Sequence, residues 1–290
     1  MMEIRGVITA MVTPFHEDGG IDEAGARRLA RHLVEHGSHG LVLAGTTGEA
    51  PTLSDDEKLA LFRAVRDELS GEATLILGTG SNDTLHTVEL TKIAAEAGSD
   101  AAIVVTPYYN RPNRAGLIAH YEAISEVGIP IVLYNIPSRT ALNIEPHLLA
   151  ELGRLPNVVA VKQANDEELG PIDGLDVLAG NDGVFCRTIE FGGGGGILVS
   201  SHLVGPQMRE MWEAGQEGDL ERVRQIDADL QPIYEATAVT ANPIPVKAAL
   251  KMLGLIESDA LRLPMVSATE EERQAIRPAL EAAGILAAAG

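Results

Sequence analysis

Residues Val158-Val159-Ala160-Val161-Lys162 form a run that is apolar until its last residue, and this pattern recurs along the chain. A strand buried on both faces reads as a continuous apolar run, whereas a strand with one solvated face alternates apolar and polar residues. Seven other runs occur, and most of them are also apolar throughout: residues 6–12, 40–44, 74–77, 101–105, 130–134, 176–179 and 196–200. Together they predict eight parallel strands.

Amphipathic helical patterns separate these runs, near residues 22–36, 83–97, 114–127 and 145–153. A further helix is predicted to begin at Ser54, because Ser54 and Glu57 have the spacing of a capping box. Strand and helix alternating about eight times favours a closed barrel over an open sheet. The sequence therefore predicts an α/β protein with a (β/α)8 TIM barrel.

The last part of the chain lacks clear strand patterns, and helices are predicted near residues 203–215, 218–238, 243–253 and 268–283. No linker or low-complexity segment separates this part from the rest. We therefore predict a catalytic barrel over residues 1–205 and a C-terminal helical extension over residues 206–290.

Charge and composition exclude several classes of function. The formal net charge is -20, which is unfavourable for binding nucleic acid or an anionic membrane surface, because both require a basic footprint. The single cysteine, Cys186, cannot form an intrachain disulfide. No basic segment precedes a long apolar run at the start of the chain, and no window resembles a membrane span. These observations predict a cytoplasmic location.

Lys162 is the strongest candidate for chemistry, because active sites of such barrels lie at the C-terminal ends of the strands. The chain has five lysines, and the other four fall in helical patterns. Desolvation against apolar strands favours the neutral amine, which is a nucleophile that can form a Schiff base. The alternative is a lysine whose stem packs at the strand end while its ammonium group reaches water.

Several residues with hydroxyl groups, and one arginine, lie at or just after the ends of neighbouring predicted strands. Gly45-Thr46-Thr47-Gly48 could hold a small carboxylate with backbone N–H groups, or could be an ordinary turn. Tyr108, Tyr109 and Tyr134 are three of five tyrosines in the chain; each could transfer a proton or simply pack. Arg139 could bind a carboxylate through two hydrogen bonds or remain solvated.

Metal binding is not predicted. His32 and His36 have metal-like spacing on a predicted helix, but no Glu follows His32 directly, so the zinc-protease motif is absent. This helix also precedes a strand, away from the predicted active-site rim.

Several longer motifs resemble the dihydrodipicolinate synthase family of pyruvate-dependent class I aldolases. They occur in the family's order along nearly the whole chain: Gly45-Thr46-Thr47-Gly48-Glu49, residues 106–112, residues 134–140, Val161-Lys162, Asn242-Pro243-Ile244-Pro245-Val246-Lys247 and residues 261–265. The resemblance implies that Lys162 forms an imine with pyruvate, and that the derived enamine attacks L-aspartate 4-semialdehyde. It implies no metal and no organic cofactor.

The resemblance also assigns roles to the residues around Lys162. Tyr134 would relay protons, and Thr46 would link Tyr134 to Tyr109, which reaches in from a neighbouring subunit. This arrangement requires at least a dimer, and homotetramers built from tight dimers are usual in the family.

The same resemblance assigns four substrate-binding positions. The backbone N–H of Thr47 would hold the carboxylate of pyruvate, and Arg139 would guide the carboxylate of the semialdehyde. Gly180 and the backbone of Ile197 match positions that line the pyruvate pocket.

The sequence departs from lysine-inhibited members of the family at Ala50, Lys58 and His86, which speaks against feedback by lysine. Two alternatives remain at this point. Sister class I aldolases that act on N-acetylneuraminate or on 2-keto-3-deoxy sugar acids would share Lys162 and Tyr134. A barrel that binds an oxo acid without catalysis would be a sensor or scaffold, although the intact set of predicted catalytic residues argues against it.

Overall fold

The computed structural model describes residues 4–287, in which eight parallel strands close into a barrel in the order in which they occur along the chain. The first and last strands pair with each other, Gly6 lying opposite Gly195. The strands are β1 (Gly6–Ala10), β2 (Gly40–Leu43), β3 (Thr74–Gly78), β4 (Ala101–Val105), β5 (Ile131–Asn135), β6 (Val158–Gln163), β7 (Asp176–Ala179) and β8 (Gly195–Leu198). The predicted barrel is confirmed.

Helices connect the strands and complete the chain. They are α1 (Glu23–Glu35), α2 (Asp55–Leu69), α3 (Thr84–Glu96), α4 (Arg114–Ser125), α5 (Pro137–Thr140), α6 (Pro146–Leu152), α7 (Phe185–Glu190), α8 (Ser201–Glu217), α9 (Leu220–Ala236), α10 (Ile244–Met252) and α11 (Glu270–Ala282). The capping box predicted at Ser54 and Glu57 is present at the start of α2.

The interior of the barrel is a packed apolar cluster rather than a pore. Because successive side chains of a strand point to opposite faces, every second residue of each strand points inward. Ile8, Val42, Val132, Ala160 and Ile197 belong to this interior cluster. The alternate residues, such as Leu41 and Leu43, belong to a cluster that includes residues of the surrounding helices. Burial on both faces explains why the strands read as continuous apolar runs.

Two predicted strands end two residues earlier in the structure than in the sequence pattern. The run at 6–12 pairs as a strand only to Ala10, and the run at 196–200 only to Leu198. Met11 and Val12 are nevertheless buried, at 1% exposure each. Residues just beyond the end of a strand can still be buried, so the apolar pattern continues past the last residue that pairs in the sheet.

The predicted division at residue 205 falls inside α8, where Val204 has a non-helical backbone just before Pro206. One hydrophobic cluster joins Phe15, at the top of the barrel, to Leu250 and Ile276 of the later helices. The two-part organisation stays a prediction, and residues 1–3 and 288–290 of the two parts lie outside the described residues.

Candidate active site

A cavity with two arms opens at the C-terminal ends of the strands, where the arms meet. The first, about 580 Å³, extends over Ala10, Val42 and Ile103, and we call it the apolar arm. The second, about 420 Å³, is lined mainly by polar residues such as Asn181 and Thr240, and we call it the polar arm. Both arms are lined by Thr46, Tyr134, Ile136, Arg139 and Lys162.

Lys162 and Tyr134 form the junction of the arms. They lie opposite each other on β6 and β5, and each stands two residues beyond an inward-facing residue, so both point into the barrel. Their side chains are buried, at 5% and 6% exposure. The Lys162 Nζ atom lies 4.5 Å from the centroid of the Tyr134 ring. An amine is therefore held in a largely desolvated position beside a phenol.

The loop after β2 presents two threonines to the polar arm. The Thr13 hydroxyl donates to the carbonyl of Gly48 across 2.7 Å and so fixes the turn. The Thr47 hydroxyl accepts a hydrogen bond of 2.9 Å from Asn242 Nδ2. The backbone N–H groups of Thr46 and Thr47 find no acceptor within residues 4–287. Two unpaired backbone donors side by side suit a carboxylate.

Arg139 lies on the one-turn helix α5, directly after β5. Its Nη2 atom donates to the backbone carbonyl of Asn242 across 3.2 Å. Asn242 thus contacts both Thr47 and Arg139, and it ties the loop after β2 to the loop after β5. This contact places a cation on the wall of the polar arm, where a carboxylate can bind it.

The loop after β7 closes the polar arm and contains Gly180 and Asp182. A Cβ atom on Gly180 would lie 2.6 Å from the carbonyl oxygen of Gln163, so glycine permits this close approach. Asp182 accepts from the backbone N–H groups of Val199 (3.0 Å) and Ser200 (3.1 Å). Burial raises the pKa of Asp182, and these hydrogen bonds together with the charge of Lys162 oppose that rise.

A buried ion pair between Lys247 and Glu49 stabilises the loop after β2. Lys247 Nζ donates to Glu49 across 2.6 Å, and both side chains are completely buried. Glu49 has φ of 59°, a left-handed conformation that is uncommon for a residue with a Cβ atom. The second carboxylate oxygen accepts from the backbone N–H of Arg262. The helical extension therefore fixes the conformation of the loop that carries Thr46 and Thr47.

The far end of the apolar arm contains a small charged cluster. Asp55 accepts from Lys58 Nζ (3.1 Å) and contacts His86 Nε2 (2.7 Å). These contacts hold the pKa of the Asp55 carboxyl below its usual value against the opposing effect of burial, which is the largest single influence. Lys58 and His86 were singled out in the sequence as departures, and the structure places both in the wall of this arm.

Most of the predicted site residues come together. Lys162, Tyr134, Thr46, Thr47, Arg139 and Gly180 all line the polar arm. Two residues do not line either arm. Tyr109 is 91% exposed, and Ile197 is completely buried in the barrel interior. No hydrogen bond joins Thr46 to Tyr134 within residues 4–287, so the predicted relay from Tyr134 through Thr46 to Tyr109 stays a prediction.

Sequence reasoning missed Asp182, Tyr234 and the role of the Glu49–Lys247 pair. Asp182 could have been found, because it follows β7 just as Lys162 ends β6. Glu49 and Lys247 were quoted only within motifs, and no pattern joins residues so far apart in the chain. Tyr234 lies on a helix of the extension, where a tyrosine on a buried face is usually read as packing.

The arrangement suits nucleophilic attack on a carbonyl group. A buried amine, a neighbouring phenol, unpaired backbone N–H groups and a guanidinium group surround one space, and together they can bind an oxo acid and form an imine. Within residues 4–287, no cluster of three or more His, Cys, Asp or Glu side chains is placed to hold a metal ion.

The chain matches known proteins over nearly its full length. Residues 3–283 match the model of the Dihydrodipicolinate synthetase family. The chain is 44% identical over 294 residues to the 4-hydroxy-tetrahydrodipicolinate synthase of Moorella thermoacetica, with 98% of this chain and 100% of the relative covered.

Solved structures agree with this match. The fold resembles dihydrodipicolinate synthase from Thermotoga maritima with a TM-score of 0.91 at 37% identity, covering 98% of this chain and 100% of that chain. It also resembles the chloride-inhibited dihydrodipicolinate synthase from Acinetobacter baumannii complexed with pyruvate, with a TM-score of 0.94 at 34% identity and the same coverage. The protein with these two arms around Lys162 therefore belongs to the dihydrodipicolinate synthetase family.

Proposed function

We propose that this protein condenses pyruvate with L-aspartate 4-semialdehyde to give 4-hydroxy-tetrahydrodipicolinate, through a Schiff base on Lys162. The observation that carries the proposal is the Lys162 amine, which is buried at the end of a barrel strand 4.5 Å from the Tyr134 ring. The names of the relatives favour this reaction over the sister aldolases, because the similar proteins carry the synthase name.

The reaction balances without a redox partner. The Lys162 amine adds to the ketone of pyruvate, and loss of water gives an imine. The methyl carbon then loses a proton to give an enamine, which forms a carbon–carbon bond to the aldehyde carbon while the aldehyde oxygen takes up a proton. The amino group derived from the semialdehyde next attacks the imine carbon and displaces Lys162. One water is released overall.

The surrounding residues support each step. The backbone N–H groups of Thr46 and Thr47 would bind the carboxylate of pyruvate, and Tyr134 would transfer protons to and from the reacting oxygen atoms. Arg139 would bind the carboxylate of the semialdehyde as a charge-assisted pair. Gly180 allows the loop after β7 to lie close to the imine, and the backbone of Ile197 would complete the pyruvate pocket from below.

Tyr109 would enter the site of a neighbouring subunit. It is 91% exposed and has φ of 71°, so the loop after β4 holds a phenol away from its own barrel. A dimer at least would be required, and a homotetramer composed of two such dimers is the proposed assembly. One similar structure is described as a monomeric dihydrodipicolinate synthase variant, so the assembly has to be measured for this chain.

We place the protein in the cytoplasm, with small molecules as its substrates. None of the helices within residues 4–287 is long and apolar enough to cross a membrane. The formal net charge of -20 is unfavourable for binding nucleic acid.

The deciding experiment is product detection by mass spectrometry with both substrates, together with borohydride trapping of the pyruvate imine. Trapping should add the reduced pyruvate adduct to the peptide that contains Lys162. Lys162→Ala should abolish the adduct and the product, whereas Lys92→Ala, at an exposed site on α3, should retain both. Unchanged turnover in Lys162→Ala would overturn the Schiff-base proposal.

A further inference from the structure

Asn135, the last residue of β5, closes a loop at the rim of the barrel. It is completely buried, and it follows Tyr134 in the strand, so its side chain points away from the barrel interior. The Asn135 Oδ1 atom accepts from the backbone N–H of Ile144 across 3.0 Å, and its Nδ2 atom donates to the backbone carbonyl of Ile144 across 3.2 Å. One side chain therefore joins the start of the loop after β5 to its end.

The loop that Asn135 closes contains Arg139. The Thr140 hydroxyl lies within hydrogen-bond distance of the backbone carbonyl groups of Ile136 (3.0 Å) and Leu142 (2.9 Å), so the middle of the loop is held by its own contacts. Arg139 itself is exposed. The place of its guanidinium group therefore depends on how the whole loop is fastened to the barrel.

Neighbouring amide groups fix the orientation of Asn135. Gln163 lies opposite Asn135 in the pairing of β5 with β6, and its Oε1 atom accepts from Asn135 Nδ2 across 3.0 Å and from the backbone N–H of Asn165 across 3.1 Å. If the Gln163 amide rotated, its NH2 group would face both of these donors, so Oε1 keeps its position. Asn143 Oδ1 is a further acceptor, 2.9 Å from Asn135 Nδ2. The Asn135 amide cannot turn over without losing these contacts.

The same network binds the end of the loop to the loop after β6. Asn143 donates through Nδ2 to both carboxylate oxygens of Glu168, across 3.1 and 2.9 Å. Asn143 Oδ1 also accepts from Asn165 Nδ2 across 3.2 Å. Glu168 and Asn165 both follow β6, the strand that carries Lys162. The loop with Arg139 is therefore fixed relative to Lys162 as well as to β5.

We propose that Asn135 is a positioning residue for Arg139. It closes the loop and ties it to Gln163, the residue next to Lys162, and so holds the guanidinium group at a fixed distance from the imine. The inference deepens the proposed function and rests on it. A small displacement of a binding group can greatly reduce its effect. Loss of Asn135 should therefore weaken binding of the carboxylate that Arg139 holds, whereas pyruvate binds to backbone N–H groups of another loop.

The test compares Asn135→Leu with the wild type and with Thr91→Val. Leucine has about the size of asparagine but cannot hydrogen-bond. Thr91 of α3 is a matched control because it is also completely buried, its hydroxyl pairs with that of Thr79 across 2.8 Å, and it lines neither arm. We expect Asn135→Leu to raise the KM for L-aspartate 4-semialdehyde about tenfold, with the KM for pyruvate nearly unchanged. Thr91→Val should leave both constants at their wild-type values.

A double-mutant cycle shows whether Asn135 acts through Arg139. Arg139→Gln already removes the guanidinium group, so adding Asn135→Leu to it should raise the KM for the semialdehyde no further; effects of coupled residues do not add. If circular dichroism shows that Asn135→Leu does not fold, Asn143→Ala takes its place in the same cycle. Asn143 is only half-buried, and its loss should change the same constant in the same direction.

Three results would contradict the positioning role. A lower Tm with both KM values unchanged would mean that the amide network only stabilises the fold. An equal rise in both KM values would mean that the substitution disturbs the whole site. Independent effects of Asn135→Leu and Arg139→Gln in the double variant would mean that Asn135 does not act through Arg139. Failure of the proposed function is separate, because the wild-type protein would then form no product from the two substrates.

Discussion

Lys247 and Glu49 form an ion pair with a separation of 2.6 Å, and solvent reaches neither side chain. Lys247 lies on α10, whereas Glu49 lies in the loop after β2, so one contact joins the helical extension to the rim of the barrel. Lys247 Nζ also donates to the backbone of Ala260 and lies 4.2 Å from the centroid of the Phe15 ring. The loop that carries Thr46 and Thr47 therefore depends on residues far from it in the sequence.

Removing one partner of this pair should destabilise the protein strongly. In Lys247→Met, the Glu49 carboxylate remains buried without its cation, a change that typically lowers the free energy of unfolding by about 3–5 kcal/mol. Urea unfolding followed by circular dichroism would measure the change. The double variant Glu49→Gln with Lys247→Met should recover part of the loss, because it contains no unpaired charge.

Lys251→Met is the matched control for that experiment, since Lys251 lies one turn later on α10 and is exposed. Its unfolding midpoint should differ little from that of the wild type. If Lys247→Met had the same midpoint as Lys251→Met, the ion pair would not support the loop.

Tyr134→Phe should lower kcat by about a hundredfold or more, because the variant keeps the ring beside Lys162 but loses the group that transfers protons. The KM for pyruvate should change by only a few-fold, since the proposed carboxylate donors are backbone N–H groups. Steady-state kinetics on both substrates would separate the two constants. A kcat within twofold of the wild type would exclude Tyr134 as the proton-transfer residue.

Subunits with complementary defects should restore each other if Tyr109 acts in the neighbouring site. Tyr109→Phe and Lys162→Ala proteins should each have little activity alone. A mixed dimer contains one site with both wild-type residues and one with neither, so purified mixed dimers should have about half of the wild-type activity. Co-expression with two affinity tags would supply the mixed dimers. Absence of recovery in purified mixed dimers would argue for a site within one chain.

Acid should destabilise the fold between about pH 6.5 and pH 4. Burial lowers the pKa of His202 to about 4 and that of His120 to about 4. His202 accepts from the backbone N–H of Val12 through Nε2, an interaction that requires the neutral ring. The unfolded chain takes up these protons near pH 6.5 and the folded chain does not, so stability falls as pH falls through this window.

Each of these histidines should contribute on the order of 3 kcal/mol to the acid-induced loss of stability. Urea unfolding at a series of pH values would measure it. His202→Gln keeps a side chain that can hydrogen-bond but does not titrate, and its stability should depend less on pH over this range. An equal pH dependence in the variant would show that other groups control the acid transition.

Lysine should not inhibit the enzyme. Lys58 and His86 line the apolar arm, and Lys58 already donates to Asp55, so a further ammonium group would meet a cation there. Rates with and without millimolar L-lysine, at subsaturating pyruvate, would test this expectation. Strong inhibition would show that the arm accepts lysine in spite of these residues.

The sequence predicted which side chains meet at the rim of the barrel where local position decides the outcome. Lys162, Tyr134 and Arg139 follow directly from their places at strand ends, because the C-terminal ends of all eight strands meet on one side of a barrel. The same reasoning did not extend to Asn242 and Tyr234, which approach the site from the extension. Their contribution depends on how α9 and the following loop pack over the polar arm.

By itself, the sequence determined the repeated strand and helix pattern, the closed barrel and the position of Lys162 at the end of a strand, because periodicity and strand ends are local properties. Only the tertiary structure decided that Glu49 is neutralised by Lys247, that Asn242 joins Thr47 to Arg139, and that Tyr109 points away from its own site. Those contacts join residues distant in the chain. Burial makes these contacts important for stability, because a charge or hydroxyl group removed from water is unfavourable unless it has a partner within the fold.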